Sequence, residues 1–294
     1  MLGFLNIYKP ANCTSHDVVA KLRKILNIKR IGHSGTLDPF ATGVLVAGIN
    51  EATRLFEYLH SDKIYLATIQ FGLETNTNDI TGDVLYKSDK IPQLPEVSDE
   101  LNKYKGKIKQ VPPIVSAINI KGERAYKLAR ENKINLSDLK EREVEIYSIN
   151  IISYNRPRLV LKIHCSSGTY IRSIARDLGK TLNTYAIVSS LERTQIGIHF
   201  SSSQSINLES ITSSNWEQHL IPPDKALDLP KLYINQDQIK DICFGKSITI
   251  SNNESYKPEQ PLLTLDNNNN LVAIGLLTKN DIIKPIKVFY NNAK

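Results

Sequence analysis

Cysteine is scarce and poorly placed for cross-linking. The three in 294 residues, Cys13, Cys165 and Cys243, are odd in number and far apart. They show neither zinc-ligand spacing nor a disulfide pattern, so a reducing compartment, the cytoplasm, is the expected location. Long apolar runs are missing as well. None approaches the roughly 18 residues that a bilayer-spanning helix requires. Residues 1–6 carry no charged leader, no sustained apolar segment and no small-residue cleavage site, and read as neither signal nor transit peptide. The six histidines, at 16, 33, 60, 164, 199 and 219, are scattered. No metal site is expected from them. No internal repeat is found, and no long region is compositionally disordered.

What is present is a chain long enough for about two domains, with a hydrophobic content of 41% that supports a substantial core. The formal net charge is +7, and its distribution says more than its total. Residues 100–180 hold 17 basic against 8 acidic side chains, a surplus of nine, while the flanking thirds are each at −1. Such a local surplus suits a polyphosphate partner, or is simply a solvated lysine-rich surface. Tyr104, Tyr126 and Tyr170 lie among these charges and favour RNA.

Periodicity and turn chemistry predict alternating elements. Residues 3–7 read as a strand ending at Lys9-Pro10. Ser15 is the expected N-cap of a helix whose apolar face is Val18, Val19, Leu22, Ile25 and Leu26. A buried strand is expected over 44–49, a helix over 51–60, and a strand over 63–72 with Tyr65, Ala67, Ile69 and Phe71 on one face. Residues 73–83 read as a loop. A short helix follows near 97–104, a strand over 114–120 and a basic helix over 124–131. Residues 144–154 and 158–165 read as paired strands, 169–182 as a helix and 186–200 as a strand. The mixture argues for an α+β class. Residues 201–230 are Ser-rich, then Pro-rich, and mark a boundary at about 229. From residue 230 to 294, short strands with Asn-rich turns predict a small β-rich domain.

One stretch carries the chemistry. Gly32-His33-Ser34-Gly35-Thr36-Leu37-Asp38-Pro39-Phe40-Ala41-Thr42-Gly43 places a carboxylate, an imidazole and several glycines in twelve residues. Glycine admits backbone angles that other residues avoid, and Pro39 pushes Asp38 toward an extended conformation. On local chemistry alone Asp38 is either a catalytic carboxylate on a stiff loop or a turn residue.

This stretch resembles the catalytic motif of the TruB family of bacterial tRNA pseudouridine-55 synthases. Other blocks follow in the family's order: Lys9-Pro10 with Thr14-Ser15, Lys63-Ile64-Tyr65, and Thr75-x-Thr77-x-Asp79-x-x-Gly82. Then come Pro112-Pro113 with Ser116-Ala117, Gly122-x-Arg124-Ala125-Tyr126, Cys165-Ser166-Ser167-Gly168-Thr169-Tyr170-Ile171-Arg172, and Leu191-x-Arg193. Two positions depart from the usual pattern. Val115 stands where an aromatic is common, which puts stacking there in doubt, and Ser34 replaces a threonine while keeping the hydroxyl.

The resemblance implies a pseudouridine-synthase fold, a mixed or antiparallel sheet flanked by helices. It also implies a catalytic domain over 1–229 and a PUA-like C-terminal domain over 230–294. An insertion at about 121–143 would grip the RNA loop. The implied activity is isomerisation of the tRNA T-loop uridine at position 55 by base flipping, without metal or other cofactor, by a monomer that meets tRNA through its T-arm. Asp38 matches the essential aspartate, acting as nucleophile or as base. His33 would support the opened RNA loop, and Tyr65 would stack on the target base. Tyr170 and Leu191 would line the uracil pocket, although a pocket wall and a core position look alike at Leu191. Arg172 would pair with Asp38 and orient it, and Lys9-Pro10 would support the loop. Three rivals stand beside this reading: a related synthase acting on another RNA, a non-catalytic RNA-binding or chaperone protein on the same scaffold, and a glycoside hydrolase. The last usually needs two carboxylates, and Asp79 is the candidate for the second.

Overall fold

The computed structural model describes the chain except residues 117, 121, 132, 251–255, 279–280 and 291–294, and the side chains of 124, 126 and 130. Ala117 of the middle motif, Lys121 of the expected turn and the Asn252-Asn253-Glu254-Ser255 loop therefore lie outside the described residues.

The main sheet runs, in spatial order, Ile206–Asn207, Gly3–Lys9, Thr42–Ile49, Ala186–Ile196, Lys63–Phe71, Arg158–Cys165, Arg142–Asn155 and Gly106–Gln110. Most neighbours are antiparallel. Thr42–Ile49 meets Ala186–Ile196 in parallel, with Gly43 opposite Arg193. The α+β expectation holds, with a mixed sheet flanked by helices.

Along Lys63–Phe71 the alternation places Tyr65, Ala67, Ile69 and Phe71 inward, where all four are buried. They join Leu159, Leu161 and Ile163 from the adjacent strand and Ile174, Ala175 and Leu178 from the helix Ile171–Thr181 in one core. Each fully buried aliphatic side chain there contributes about 1.5–3 kcal/mol of transfer free energy. The helix Ser15–Leu26 packs Val18, Val19, Leu22 and Leu26 on the other face, against Leu5, Ile7, Leu45 and Ala47.

Several boundaries differ from the sequence reading. The N-cap of Ser15–Leu26 is Thr14, which forms a reciprocal capping box with Asp17. Ser15 is instead buried, its Oγ accepting from the Leu37 N–H at 2.9 Å. Residues Asn50–Tyr58 form a 3-10 rather than an α-helix. The buried positions Ala52 and Leu55 are three apart, the spacing that a threefold helix aligns. The expected 73–83 loop is flanked by a short hairpin, Leu73–Thr75 with Val84–Lys87. The strand expected over 114–120 shrinks to Asn119–Ile120, paired with Glu123–Arg124. The edge strand Gly106–Gln110, GKIKQ, had no apolar alternation strong enough to announce it.

Residues 201–230 are not an exposed linker. Leu208, Ile211 and Trp216 are buried against the Ser15–Leu26 helix. Beyond them a second sheet runs Lys231–Tyr233, Pro261–Leu265, Leu271–Leu277, Ile282–Val288 and Ile248–Thr249. Its residues Leu263, Leu265, Leu271 and Ile274 share a core with Phe4, Val44, Val46 and Leu55 of the main body. No helix among the described residues is long and apolar enough to cross a membrane.

Candidate active site

Residues 34–41 link two antiparallel strands, Ile31–His33 and Thr42–Ile49. Buried polar groups hold this loop from beneath. Arg193, fully buried, donates to the carbonyls of Val44 at 2.8 Å, Gly35 at 3.0 Å and Thr36 at 3.4 Å. Lys9 is also fully buried, and its Nζ donates to Cys13 at 2.7 Å, Pro10 at 2.8 Å and Pro39 at 3.2 Å. Burial is the main cause that lowers its pKa. Gly43 has φ +106°, and a Cβ there would stand 2.2 Å from the Arg193 carbonyl oxygen, so only glycine fits.

Asp38 is gripped by Arg172 in a fork. Nε donates to Oδ2 at 2.8 Å and Nη2 to Oδ1 at 2.6 Å, a bidentate geometry that fixes the carboxylate plane. Arg172 is itself buried. Its remaining N–H groups donate to the Thr77 carbonyl at 3.0 Å and the Val115 carbonyl at 3.1 Å. Behind it stands Asp79, with Oδ2 3.5 Å from Arg172 Nη1. Asp79 Oδ1 accepts from Thr77 Oγ1 at 2.8 Å, Thr81 Oγ1 at 2.6 Å and Thr81 N at 3.0 Å.

A cavity of about 490 Å³ opens over this pair. Asp38, Tyr65, Tyr170, Arg172 and Leu191 all line it, so the chain folds five of the six predicted site residues into one place. His33 does not line it. It sits half-buried two residues before Gly35, whose N–H donates to His33 Nδ1 at 3.3 Å. Burial, then the Arg193 guanidinium, pushes the His33 pKa down and favours the neutral ring. Burial likewise raises the phenols of Tyr65 and Tyr170, both of which line the cavity. Tyr170 precedes the helix Ile171–Thr181, and its backbone is clasped by the buried Gln110 side chain at 2.8 and 3.1 Å.

Asp79 is absent from the cavity wall. It supports Arg172 rather than facing a second side of a substrate, so the two-carboxylate arrangement of a glycoside hydrolase is not built here. The residues that sequence reasoning left without a role are Lys63, Arg142 and Arg193, which line the cavity, and Gln110. For Lys9 a signal existed: it is a cation ending the mostly apolar strand Gly3–Lys9, a place where charges are rare unless they are satisfied, whereas Arg193 lies among Glu192, Thr194 and Gln195, where nothing marks it as buried. Among the described residues no three His, Cys, Asp or Glu side chains are grouped as metal ligands would be.

Residues 23–171 match the family model of the TruB family pseudouridylate synthase N-terminal domain. The chain is 42% identical over 254 residues to the tRNA pseudouridine synthase B of Acaryochloris marina, covering 84% of this chain and 87% of that protein. It is 41% identical over 286 residues to that of Thermosipho melanesiensis, covering 95% and 92%. Among solved structures, an H/ACA RNP bound to a substrate RNA containing 2'-deoxyuridine superposes with a TM-score of 0.72 at 22% identity. That match covers 99% of this chain and 86% of the other, and it supports the fold. The ordered motifs, the fork between Asp38 and Arg172 and these matches together lead to one statement: the chain belongs to the TruB family of pseudouridylate synthases.

Proposed function

We propose that this protein isomerises the T-loop uridine at position 55 of tRNA to pseudouridine, with Asp38 as the essential group. The observation that carries the reading is the Asp38 carboxylate, locked by Arg172 in a cavity that Tyr65, Tyr170 and Leu191 line together with several cations. Its relatives' common name, tRNA pseudouridine synthase B, supplies the substrate class.

The reaction breaks the bond from uracil N1 to ribose C1′ and forms one from C5 to C1′. The proton on C5 is lost and one is gained at N1, so the net change is an isomerisation. The uridine must first leave its stack, which costs about a few kcal/mol. Tyr65 stacks on the extruded base, and Tyr170 and Leu191 close the pocket around it. His33, neutral and beside the loop, supports the RNA from which the base has left. Asp38 can act by attack on carbon or by removing a ribose proton. Both roles need its oxygens in a fixed place at the moment of reaction, and the fork with Arg172 provides that.

The same reading takes the T-arm as the contacted part of tRNA, a monomer as the working form and the cytoplasm as its location. It divides the chain into a catalytic body over 1–229 and a C-terminal module over 230–294, with the insertion at about 121–143 as an RNA grip. The test is to incubate purified protein with unmodified tRNA, without added metal or cofactor, and map pseudouridine by position. Modification at position 55 is expected. Modification at another position, or none, overturns the assignment.

A further inference from the structure

The cavity holds more positive charge than the reaction uses. Among its lining residues Asp38 is the one carboxylate, against Lys63, Arg142, Arg172 and Arg193. Arg172 is occupied by Asp38 and by two carbonyls. Arg193 is occupied by the carbonyls of the loop. Lys63 and Arg142 remain.

Lys63 Nζ donates to the Ser61 carbonyl at 2.6 Å. Its stem lies across the catalytic loop, with Cε 3.6 Å from where a Gly35 Cβ would stand. The neighbouring carboxylate, Asp62, is taken by His164 Nε2 at 2.7 Å. Burial, with the Arg193 charge beside it, pushes the Lys63 amine down to about 8. An ammonium held in such surroundings is relieved by any anion that enters. Arg142 also lines the cavity, and its backbone is paired opposite Gln110, the residue that clasps Tyr170. Arg142 is exposed, and its side chain has no hydrogen-bond or carboxylate partner among the described residues.

We propose, resting on the function proposed above, that Lys63 and Arg142 hold the two phosphates flanking the flipped uridine. A nucleotide turned out of a loop keeps one phosphate on its 5′ side and one on its 3′ side. The two negative charges match the two unpaired cations, and the base lies between them over Asp38. Phosphate contacts fix register without reading sequence. Here they would set how deeply the ribose enters, and thus where C1′ stands relative to the carboxylate.

The test compares Lys63→Met and Arg142→Met with the wild-type chain on T-arm stem-loop RNA. The RNA is all-phosphate, or carries one neutral methylphosphonate 5′ or 3′ of the target uridine. Each substitution is expected to lower kcat/KM about tenfold and to reduce the slope of log K against log salt by about 0.7. Lys63→Arg and Arg142→Lys, which keep the charge, should retain most of the activity and separate charge from folding. Each Met variant should lose its deficit on the RNA whose matching phosphate is neutral. Equal losses on neutral and charged RNAs, or turnover within twofold of wild type for both Met variants, would overturn the proposal. The same comparison read as Kd reports on the phosphates even if no pseudouridine forms. Failure of the wild-type chain to make pseudouridine strikes the functional reading alone.

Discussion

The loop that carries Asp38, residues 34–41, and the segment proposed as an RNA grip, at about 121–143, are secured by opposite means. The loop is tied from below by buried polar groups: Lys9, Arg172 and Arg193 donate to its backbone or carboxylate oxygens, and Ser15 accepts from the Leu37 N–H. The insertion has a small apolar cluster of Ala125, Ile134 and Leu139. Its Lys133–Glu131 ion pair is exposed, and such pairs contribute about 0–1 kcal/mol. Chemistry that needs a fixed carboxylate is placed where many bonds agree on one position. Under the proposed function, contact with RNA, whose shape changes as a base turns out, falls where few do.

The comparison breaks most sharply at Asp38. Asp38→Asn keeps the volume but weakens the charge-assisted fork. Pseudouridine formation is expected to fall below detection while tRNA affinity stays within a few-fold, because phosphate contacts supply most of it. Near-normal turnover would mean that the rigid loop is not the reacting part.

A smaller effect is expected behind the loop. Arg193→Met strips three interior carbonyls of their donor and should lower global stability by about 3 kcal/mol, read as a shift in the urea midpoint. Ile134→Ala should instead speed hydrogen exchange within about residues 121–143 and leave that midpoint nearly unmoved. Similar global losses from both would show that the insertion is as integral as the loop.

Charge reversal at Lys121, Arg124 and Lys127 tests the insertion itself. The salt slope of binding should fall by about 0.7–0.9 for each lost phosphate contact, with kcat at saturating RNA within twofold. An unchanged slope would make this surface merely solvated.

The smallest effect is a pH limb. With the Lys63 pKa lowered to about 8 in the free protein, its amine is charged below that value and progressively neutral above it. RNA that needs the ammonium should therefore bind equally from pH 6.5 to 7.5 and more weakly above 8, by up to about tenfold per pH unit. Nearby, burial pushes the Cys165 thiol up to about 11, so it does not titrate in that window. Lys63→Arg should abolish the limb, and its persistence in that variant would assign it elsewhere.

Much of this was legible in advance because local rules and tertiary packing agree. The alternation from Tyr65 to Phe71, the apolar face of Ser15–Leu26 and the Gly-rich loop before a buried strand all reappear in the fold. What escaped was set by distant partners. Ser15 looked like a cap because its hydroxyl suits one, but Leu37, 22 residues away, takes it. Asp79 looked like a possible second acid because sequence carries no record of which side of Arg172 it faces. Residues 201–230 read as a boundary because serine and proline report turn preference, not exposure, and Trp216 settles into the core all the same.

Gly43 bears on how this chain can vary. A side chain there would wedge the strand Thr42–Ile49 away from Ala186–Ile196 and drag the anchor of the loop with it. In a saturation-mutagenesis library, position 43 should therefore tolerate no replacement, yet the defect would report on assembly and not on substrate handling. Activity screens alone would score it with Asp38, and only a parallel abundance measurement would tell the two apart.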